Sequence, residues 1–220
     1  MREQFAVIGL GRFGTSLAAT LSRLGAEVLA VDIDEDRVRE TASLVTTCVQ
    51  ADATQEGNLK DLGIRDFDAV IVAVSAFEAS LMVTLRLKEM GCKRVIVKAS
   101  SEEHGKILEK VGADRVVFPE KDMGERVGFS LISGSIIDHI ELSPEYSVFE
   151  VRVAGSIAGR SLRSLDLRNK MGITVVALKR EDKVHVFIDP DEPLRHGDAL
   201  VAVGPQSGAR KLSEALERDR

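Results

Sequence analysis

The sequence predicts an α/β protein in which a doubly wound parallel sheet is followed by a helical crossover and a small α+β domain. Two observations predict the parallel sheet: a glycine-rich turn joins the first apolar strand to a helix, and short apolar strands then alternate with helices. Such alternation is typical of sheets that carry helices on both faces. A third observation, apolar residues at every second position after residue 142, predicts half-buried strands. We therefore divide the chain into segments 1–120, 121–142 and 143–220.

The glycine-rich turn predicts a nucleotide-binding site of the Rossmann type. Apolar residues Phe5–Ile8 precede the turn Gly9-Leu10-Gly11-Arg12-Phe13-Gly14, and a helix follows it. At this spacing the first glycine makes a tight turn, the second lets the backbone approach a pyrophosphate, and the third lets the helix pack closely. The N–H groups at the start of the helix attract phosphate charge. The alternative interpretation is that the glycines serve only packing.

The other strands of the first segment are expected to end at one edge of the sheet. The second strand, Glu27–Val31, leads into Asp32, where an acidic side chain would bind a ribose 2′-hydroxyl. Further strands are predicted at 47–50, 69–74, 94–98 and 115–118, and helices at 34–42, 55–62, 78–90 and in the stretch from His104 to Gly112. Ligands of such sheets bind outside the carboxyl ends of the strands. The residues at or just after these ends are Asp32, Asp52, Ser75, Lys98 and Glu120.

The crossover segment is predicted to be helical as far as Ile140, with a break at Gly134. One apolar stripe carries Phe129, Ile132, Ile136 and Ile140, while Val127 and Leu131 lie off it. A helix that is apolar on more than one side needs more than one partner surface. We expect it to pack on its own sheet and on another subunit; a single buried core helix is the alternative.

The last segment is predicted to be a small α+β domain that follows a linker at 142–145. The expected elements are strands at 149–153, 173–178, 184–188 and 199–203 and helices at 161–171 and 206–216. The two middle strands flank the polar turn at 180–182, which is typical of a hairpin.

Composition excludes several classes of protein. Of the 220 residues, 44% are hydrophobic and 30% charged, as in ordinary soluble chains. No run approaches the roughly 18 apolar residues of a membrane span, and the first residues lead straight into a strand, so we expect a cytoplasmic protein without membrane insertion. A net charge of −5 and the absence of tryptophan argue against nucleic-acid binding. The two cysteines imply no disulfide framework.

Several motifs together resemble the TrkA-type RCK family of regulatory subunits of bacterial potassium uptake. The TrkA-N resemblance rests on the glycine turn, Val31-Asp32, 51–54 (Ala-Asp-Ala-Thr), 97–99 (Val-Lys-Ala) and 119–124 (Pro-Glu-Lys-Asp-Met-Gly). The TrkA-C resemblance rests on Asp166-Leu167-Arg168 and on 196–204. The family resemblance implies a cytosolic homo-oligomer in which dimers assemble into an octameric ring. This ring is expected to gate a membrane potassium transporter. ATP and ADP are the implied ligands, and NAD(H) is the alternative.

The family resemblance assigns roles to individual residues. The implied cofactor-binding residues are Gly9, Gly11, Arg12, Phe13, Gly14, Asp32, Asp52, Ala53, Lys98 and Glu120. Arg12 is expected to reach the terminal phosphate of ATP across a subunit interface, with an exposed surface arginine as the alternative. Asp52 either faces the adenosine or caps the next helix. Glu120 either binds Mg²⁺ or another cation near the terminal phosphate or stabilises the start of a helix, and Lys98 either lines the cleft or is a solvated strand end.

Two further assignments complete the sequence-based interpretation. Asp166 and Arg168 match positions near a cyclic di-AMP site of some relatives, with an ordinary solvated helix face as the alternative. An NAD-dependent oxidoreductase would need an acid, a base or a nucleophile from the second domain. The sequence shows no nucleophile–base pair or metal cluster there, so we expect no enzyme and no catalytic residue. An NAD(H)-binding redox sensor is the more serious alternative.

Overall fold

The computed structural model describes residues 2–132, 135–181 and 183–217 of the chain. The chain divides into two compact units, Met1–Glu120 and Lys121–Arg220, which we call the first unit and the second unit. Each unit has its own sheet and its own hydrophobic core. The two units are therefore described separately.

The sheet of the first unit confirms the predicted doubly wound fold. Among the described residues its strands are β1 (Gln4–Ile8), β2 (Glu27–Asp32), β3 (Thr47–Gln50), β4 (Ala69–Val72), β5 (Val95–Lys98) and β6 (Arg115–Val117). They lie in the order β3-β2-β1-β4-β5-β6, and all neighbouring strands run parallel. The chain reverses its direction of winding between β1 and β4. Ligands of such folds bind at this switch point, outside the carboxyl ends of the strands.

Helices cover both faces of this sheet. They are α1 (Arg12–Arg23), α2 (Glu35–Thr41), α3 (Glu56–Asp61), α4 (Phe77–Glu89) and α5 (Glu102–Val111), and a further helix, α6 (Pro119–Ile132), begins at the end of the unit. Alternate residues of β1 enter different core clusters: Ala6 and Ile8 pack on one side of the sheet and Val7 on the other. Since β1 is buried on both faces, its sequence is a continuous apolar run rather than an alternating one.

The second unit contains an antiparallel sheet, as the alternating pattern predicts. Its strands are β7 (Ile136–Glu141), β8 (Tyr146–Arg152), β9 (Thr174–Arg180), β10 (Lys183–His185) and β11 (Ala199–Pro205), in the order β10-β9-β11-β8-β7. The helices described there, after α6, are α7 (Leu162–Leu165), α8 (Leu167–Met171) and α9 (Gln206–Glu217). The core consists of the inner sheet face with residues such as Phe149, Leu200 and Leu212.

The predicted crossover helix is wrong for residues 136–140. Residues 136–141 form β7, in which Ile136 lies opposite Val151 and Ile140 opposite Val148. Isoleucines four residues apart fit a helical stripe, but β-branched residues also fit a strand, and pairing with β8 determines the outcome. Ile136 is buried in the second unit and cannot carry the predicted subunit contact. The predicted break at Gly134 lies outside the described residues.

Three other predictions for the second unit need correction. The supposed linker at 142–145 is the turn between β7 and β8, where the N–H of Leu142 donates to the carbonyl of Tyr146 at 3.0 Å. The single helix predicted at 161–171 is split by Asp166, whose φ of 49° and ψ of 44° are left-handed. Aspartate tolerates this conformation better than most residues. Strand β10 is also shorter than predicted, since it ends at His185.

Candidate functional site

The three glycines of the turn after β1 hold the ends of the turn tightly and leave its middle open. Gly9 has a φ of 96°, and a Cβ there would lie 2.9 Å from the backbone of Ala73. A Cβ at Gly14 would lie 1.9 Å from the carbonyl oxygen of Gly9, so no larger residue fits. At Gly11, by contrast, no atom lies within 4 Å of a Cβ position. A ligand can therefore approach the backbone at Gly11.

Helix α1 begins next to this open space without a side-chain cap. Its N-cap residue is Gly11, and its first turn contains no acidic side chain. The first N–H groups of a helix have no partner inside the helix. An anion at this end would accept their hydrogen bonds and would also be favoured by the helix dipole. The arrangement is that of a phosphate-binding turn.

Asp32, the last residue of β2, lies beside the turn. Its buried carboxylate accepts a hydrogen bond from the N–H of Leu10 at 2.5 Å and one from the N–H of Asp34 at 2.9 Å. A carboxylate has about four lone-pair positions, so room remains for ribose hydroxyls. The bond to Leu10 also ties β2 to the turn. This structural role of Asp32 was not predicted from the sequence.

Sequence reasoning missed Arg37, which lies on α2 close to Asp32. One of its terminal nitrogens, Nη1, is 3.6 Å from Oδ2 of Asp32, and its Nε is 3.6 Å from Oδ2 of Asp34. An arginine in this region of a dinucleotide fold can accommodate a ribose 2′-phosphate. The signal that would have found it is an arginine on the helix that follows the acidic strand end.

Asp52 and Ala53 follow β3 at the same edge of the sheet. Oδ1 of Asp52 accepts hydrogen bonds from the N–H of Thr54 at 2.9 Å and from its hydroxyl at 2.6 Å. These bonds hold the pKa of Asp52 below its usual value. Gln55 occupies the N-cap position of α3 and makes no side-chain cap bond, so Asp52 is not the N-cap residue of the next helix. The side chain of Ala53 packs into the core.

Lys98, Glu120 and Ser75 form a cluster at the carboxyl ends of β4, β5 and β6. The ammonium of Lys98 donates to Oε1 of Glu120 at 2.9 Å and lies 3.4 Å from the hydroxyl of Ser75. This contact holds the pKa of Glu120 below its usual value. Lys98 is buried, so the alternative of a solvated strand end is wrong. A cation at Glu120 would compete with the ammonium of Lys98 for the same carboxylate.

Arg12 and Phe13 occupy the first turn of α1. The side chain of Arg12 is exposed, and within the described residues its guanidinium has no ion-pair partner. Phe13 is half-buried beside the buried Gly14. The exposed guanidinium is therefore available to a ligand or to a neighbouring molecule.

The two residues singled out in the second unit lie around a break between helices. Asp166 separates α7 from α8 and accepts a hydrogen bond from the side chain of Asn169 at 2.7 Å. Arg168 is exposed on α8. The predicted continuous helix face is absent, because the chain changes direction between these two residues.

The two cysteine thiols are not activated as nucleophiles. Burial raises the pKa of the thiols of Cys48 and Cys92, which keeps them neutral. Among the described residues, no group of three or more His, Cys, Asp or Glu side chains could hold a metal ion. In the same part of the chain, no helix is long and apolar enough to cross a membrane.

The parallel sheet and its glycine turn define the class of protein: a Rossmann-type nucleotide-binding domain joined to a small α+β domain. Two family models match the chain, the TrkA-N domain over residues 5–119 and the TrkA-C domain over residues 148–217. The chain belongs to this TrkA family, which confirms the resemblance noted in the sequence.

Particular relatives extend the comparison along the chain. The chain is 45% identical over 205 residues to Ktr system potassium uptake protein C of Bacillus subtilis (strain 168), covering 93% of each protein. It is 43% identical over 211 residues to Ktr system potassium uptake protein A of the same organism, covering 96% of this chain and 95% of the relative. The solved structure titled GsuK channel bound to NAD has a TM-score of 0.67 and 17% identity, covering 98% of this chain and 39% of the channel. That likeness concerns the fold.

Proposed function

We propose that this chain is a regulatory subunit of a potassium uptake system and that its first unit binds an adenine nucleotide. The relatives named Ktr system potassium uptake proteins support the transport role. The observation that best supports nucleotide binding is the start of α1, which has no side-chain cap. It lies at the open position of Gly11, next to the buried carboxylate of Asp32. The subunit acts in the cytoplasm, peripheral to the membrane, through a transporter partner.

ATP and ADP are the proposed ligands, and the number of phosphates distinguishes them. The N–H groups of the glycine turn bind two phosphates of either nucleotide. The exposed guanidinium of Arg12 binds the third phosphate, from a neighbouring subunit as the family resemblance implies. A hard cation such as Mg²⁺ accompanies the terminal phosphate, and Glu120 is the carboxylate available to it once Lys98 has released it.

The proposed assembly is a ring of eight subunits built from dimers. Exposed apolar side chains on α6, among them Val127, Leu131 and Ile132, support association with other copies. Moving a two-state equilibrium from 1:99 to 99:1 takes about 5.5 kcal/mol. One phosphate contact does not supply that difference, whereas eight concerted sites need about 0.7 kcal/mol each.

A second candidate function is a redox sensor that binds NAD(H). The fold shared with a channel whose structure is titled as bound to NAD favours this candidate. Arg37 lies 3.6 Å from the carboxylate of Asp32, and it would have to offset that negative charge before a 2′-phosphate could bind, so NAD(H) is favoured over NADP(H). An NAD-dependent oxidoreductase has less support, since the hydroxyl–imidazole pair Ser80–His104 is buried and the Ser80 hydroxyl already donates to the carbonyl of Phe77.

The second unit is proposed to carry a regulatory site for a phosphate-containing ligand, cyclic di-AMP, at Asp166 and Arg168. The exposed guanidinium of Arg168 suits a phosphodiester. This proposal is independent of the nucleotide site in the first unit.

Calorimetric titration of the full chain with ATP, ADP, NADH and NADPH tests the proposal. We expect ATP and ADP to bind, and Asp32→Asn to weaken both by about 10-fold, because a charge-assisted hydrogen bond contributes about 1.5–3 kcal/mol. The negative charge of Asp32 should also make NADPH the weakest of the four ligands. Arg12→Gln should weaken ATP more than ADP.

Two matched variants serve as controls. Asp36→Asn removes an exposed carboxylate from α2, and Arg23→Gln removes an exposed guanidinium from the other end of α1. Neither should alter any affinity. Tight binding of NADH with no binding of ATP or ADP would favour the redox sensor, and no binding of any of the four ligands would refute the nucleotide site.

A further inference from the structure

We propose that Lys98 and Glu120 form a placeholder pair, in which the Glu120 carboxylate occupies the position that an anionic group of the ligand takes when the first unit is loaded. The inference rests on the proposed function, because it requires an anionic nucleotide at this edge of the sheet. It adds Lys98 as a second residue, besides Arg12, that distinguishes the length of the phosphate chain. It also explains how ligand binding could loosen the start of α6.

The first step of the argument concerns the buried charge. An ammonium that is removed from water needs an anionic or strongly polar partner. Lys98 has Oε1 of Glu120 at 2.9 Å and the hydroxyl of Ser75 at 3.4 Å. Any state in which Glu120 moves away must therefore supply Lys98 with another anion.

The second step concerns which partner moves. The side chain of Lys98 is 11% exposed, whereas that of Glu120 is 68% exposed. Lys98 is also the last residue of β5, a strand paired on both sides. Water can solvate Glu120 after the pair opens, while Lys98 has no comparable access to water. Exchange of partners therefore moves the glutamate and leaves the lysine in place.

The third step places the pair relative to the phosphate-binding turn. β5 is two strands from β1, and neighbouring strands lie about 4.8 Å apart, so the end of β5 is roughly 10 Å from the end of β1. The ammonium of Lys98 approaches Ser75, which follows the intervening strand β4. The proposed ribose contact, Asp32, lies at the end of β2, so a phosphate chain that passes the turn after β1 runs towards β4 and β5, where Lys98 lies.

The fourth step connects the pair to the chain that leaves the first unit. Glu120 is the second residue of α6, which continues to Ile132. The pair thus ties the first turn of this helix to the end of β5. A ligand anion on Lys98 releases that tie, whereas a ligand too short to reach Lys98 leaves it intact. The proposal therefore gives a second source of discrimination between ATP and ADP, separate from Arg12.

The test is calorimetric titration with ATP and ADP in EDTA, so that no cation bridges Glu120 to the phosphates. Glu120→Gln should raise ATP affinity about 5- to 10-fold and ADP affinity much less, because the competing carboxylate is gone. Lys98→Met should lower ATP affinity. In the double variant the gain from Glu120→Gln should disappear, because it acts through Lys98.

Hydrogen exchange gives an independent readout at α6. In a regular helix the N–H groups of Met123 and Gly124 bond to the carbonyls of Pro119 and Glu120. These amides should exchange faster on ATP binding in the wild type, and already without nucleotide in Glu120→Gln. Glu125→Gln, an exposed glutamate of the same helix, is the control and should change neither affinity nor exchange.

The outcomes separate this proposal from the proposed function. Unchanged or lower ATP affinity of Glu120→Gln in EDTA, with the wild type binding ATP, would overturn the placeholder pair alone. A gain that persists in the double variant would overturn it too, because simple repulsion of the phosphates would then explain the effect. Failure of the wild type to bind ATP, ADP and NADH would overturn both.

Discussion

Each unit buries one histidine, but different contacts hold the two rings: hydrogen bonds in the first unit and ring stacking in the second. His104 of the first unit is 2% exposed. Its Nδ1 accepts the N–H of Ser100 at 3.3 Å, so Nε2 carries the proton and donates to the hydroxyl of Ser80 at 2.8 Å. That hydroxyl in turn donates to the carbonyl of Phe77. Both ring nitrogens of His104 are therefore satisfied in its neutral form.

His139 of the second unit is 7% exposed and depends on stacking instead. Its ring lies parallel to that of Phe129, with centroids 4.0 Å apart. Among the described side chains, its Nε2 and the hydroxyl of Ser147 on the neighbouring strand are buried without a hydrogen-bond partner. The ring of His139 thus contributes apolar contact area, and its outer nitrogen contributes nothing favourable.

The difference shows that a buried polar side chain stabilises the fold through its polar atoms only when those atoms have hydrogen-bond partners. His104 joins α4 to the loop after β5, next to Lys98 and within the half of the sheet that carries the candidate site. His139 joins α6 to β7 through ring contact only. We therefore expect that replacing a buried polar side chain lowers stability most where all its polar atoms have partners. The following predictions test that expectation.

The largest loss of stability is expected on removing the hydrogen-bonding partner of a buried charged group in the second unit. Asp198 is buried and accepts two hydrogen bonds from Arg180, at 3.0 and 2.8 Å. Arg180→Met would leave this carboxylate buried without its counter-charge, with only the N–H of Arg195 still donating to it, and we expect a loss of about 3 kcal/mol in the free energy of unfolding. Urea unfolding of the variant measures the loss. Arg210→Met, which removes an exposed ion pair of α9, should cost less than about 1 kcal/mol; equal losses would show that matching of partners is not what counts.

A smaller effect should separate the two histidines. His104→Leu leaves the hydroxyl of Ser80 and the N–H of Ser100 without their partner, and we expect a loss of about 2 kcal/mol in the free energy of unfolding. His139→Phe keeps the stack on Phe129 and removes the unpaired nitrogen, so its change should stay within about 0.5 kcal/mol or be stabilising. Both values come from the same denaturation experiment, and similar losses for the two variants would break the comparison.

The smallest effect concerns pH. Burial lowers the pKa of His104 and, against the opposing effect of nearby carboxylates, that of His139. The unfolded chain, with histidine pKa values near about 6.5, therefore takes up protons before the folded protein does. Stability should fall as the pH drops below about 6.5 and continue to fall until the folded-state pKa values are reached. Thermal unfolding between about pH 7.5 and 5 measures this decline, and His139→Phe should reduce it; a melting temperature that rises on acidification would contradict the sign.

The parts of the fold that depend on local backbone geometry were predictable from the sequence. The glycine turn is the clearest example, because Gly9 needs a positive φ and Gly14 leaves no room for a Cβ. The acidic end of β2 follows from the same fingerprint. The observed sheets confirm the fold class, and the TrkA-N and TrkA-C family models confirm the family resemblance.

What could not be predicted depends on distant partners. Ile136 and Ile140 satisfy a helical and a strand pattern equally, and only pairing with β8 decides between them. The Lys98–Glu120 pair joins residues 22 positions apart, and nothing in the spacing shows that Glu120 turns towards an ammonium. The assignments of ligand-contacting residues stay predictions until a nucleotide is titrated.

The order of strands in the first unit also has a consequence for synthesis. β1 lies at the centre of the sheet and pairs with β2 on one side and with β4, Ala69–Val72, on the other. A ribosome that adds about 5–20 residues per second needs several seconds to make the chain between them. During that time one edge of β1 is unpaired, so the nascent chain is prone to aggregation until β4 emerges. The glycine turn is made first, but the N–H of Ala73 bonds to the carbonyl of Ile8 beside it only after the chain near residue 73 has left the ribosome.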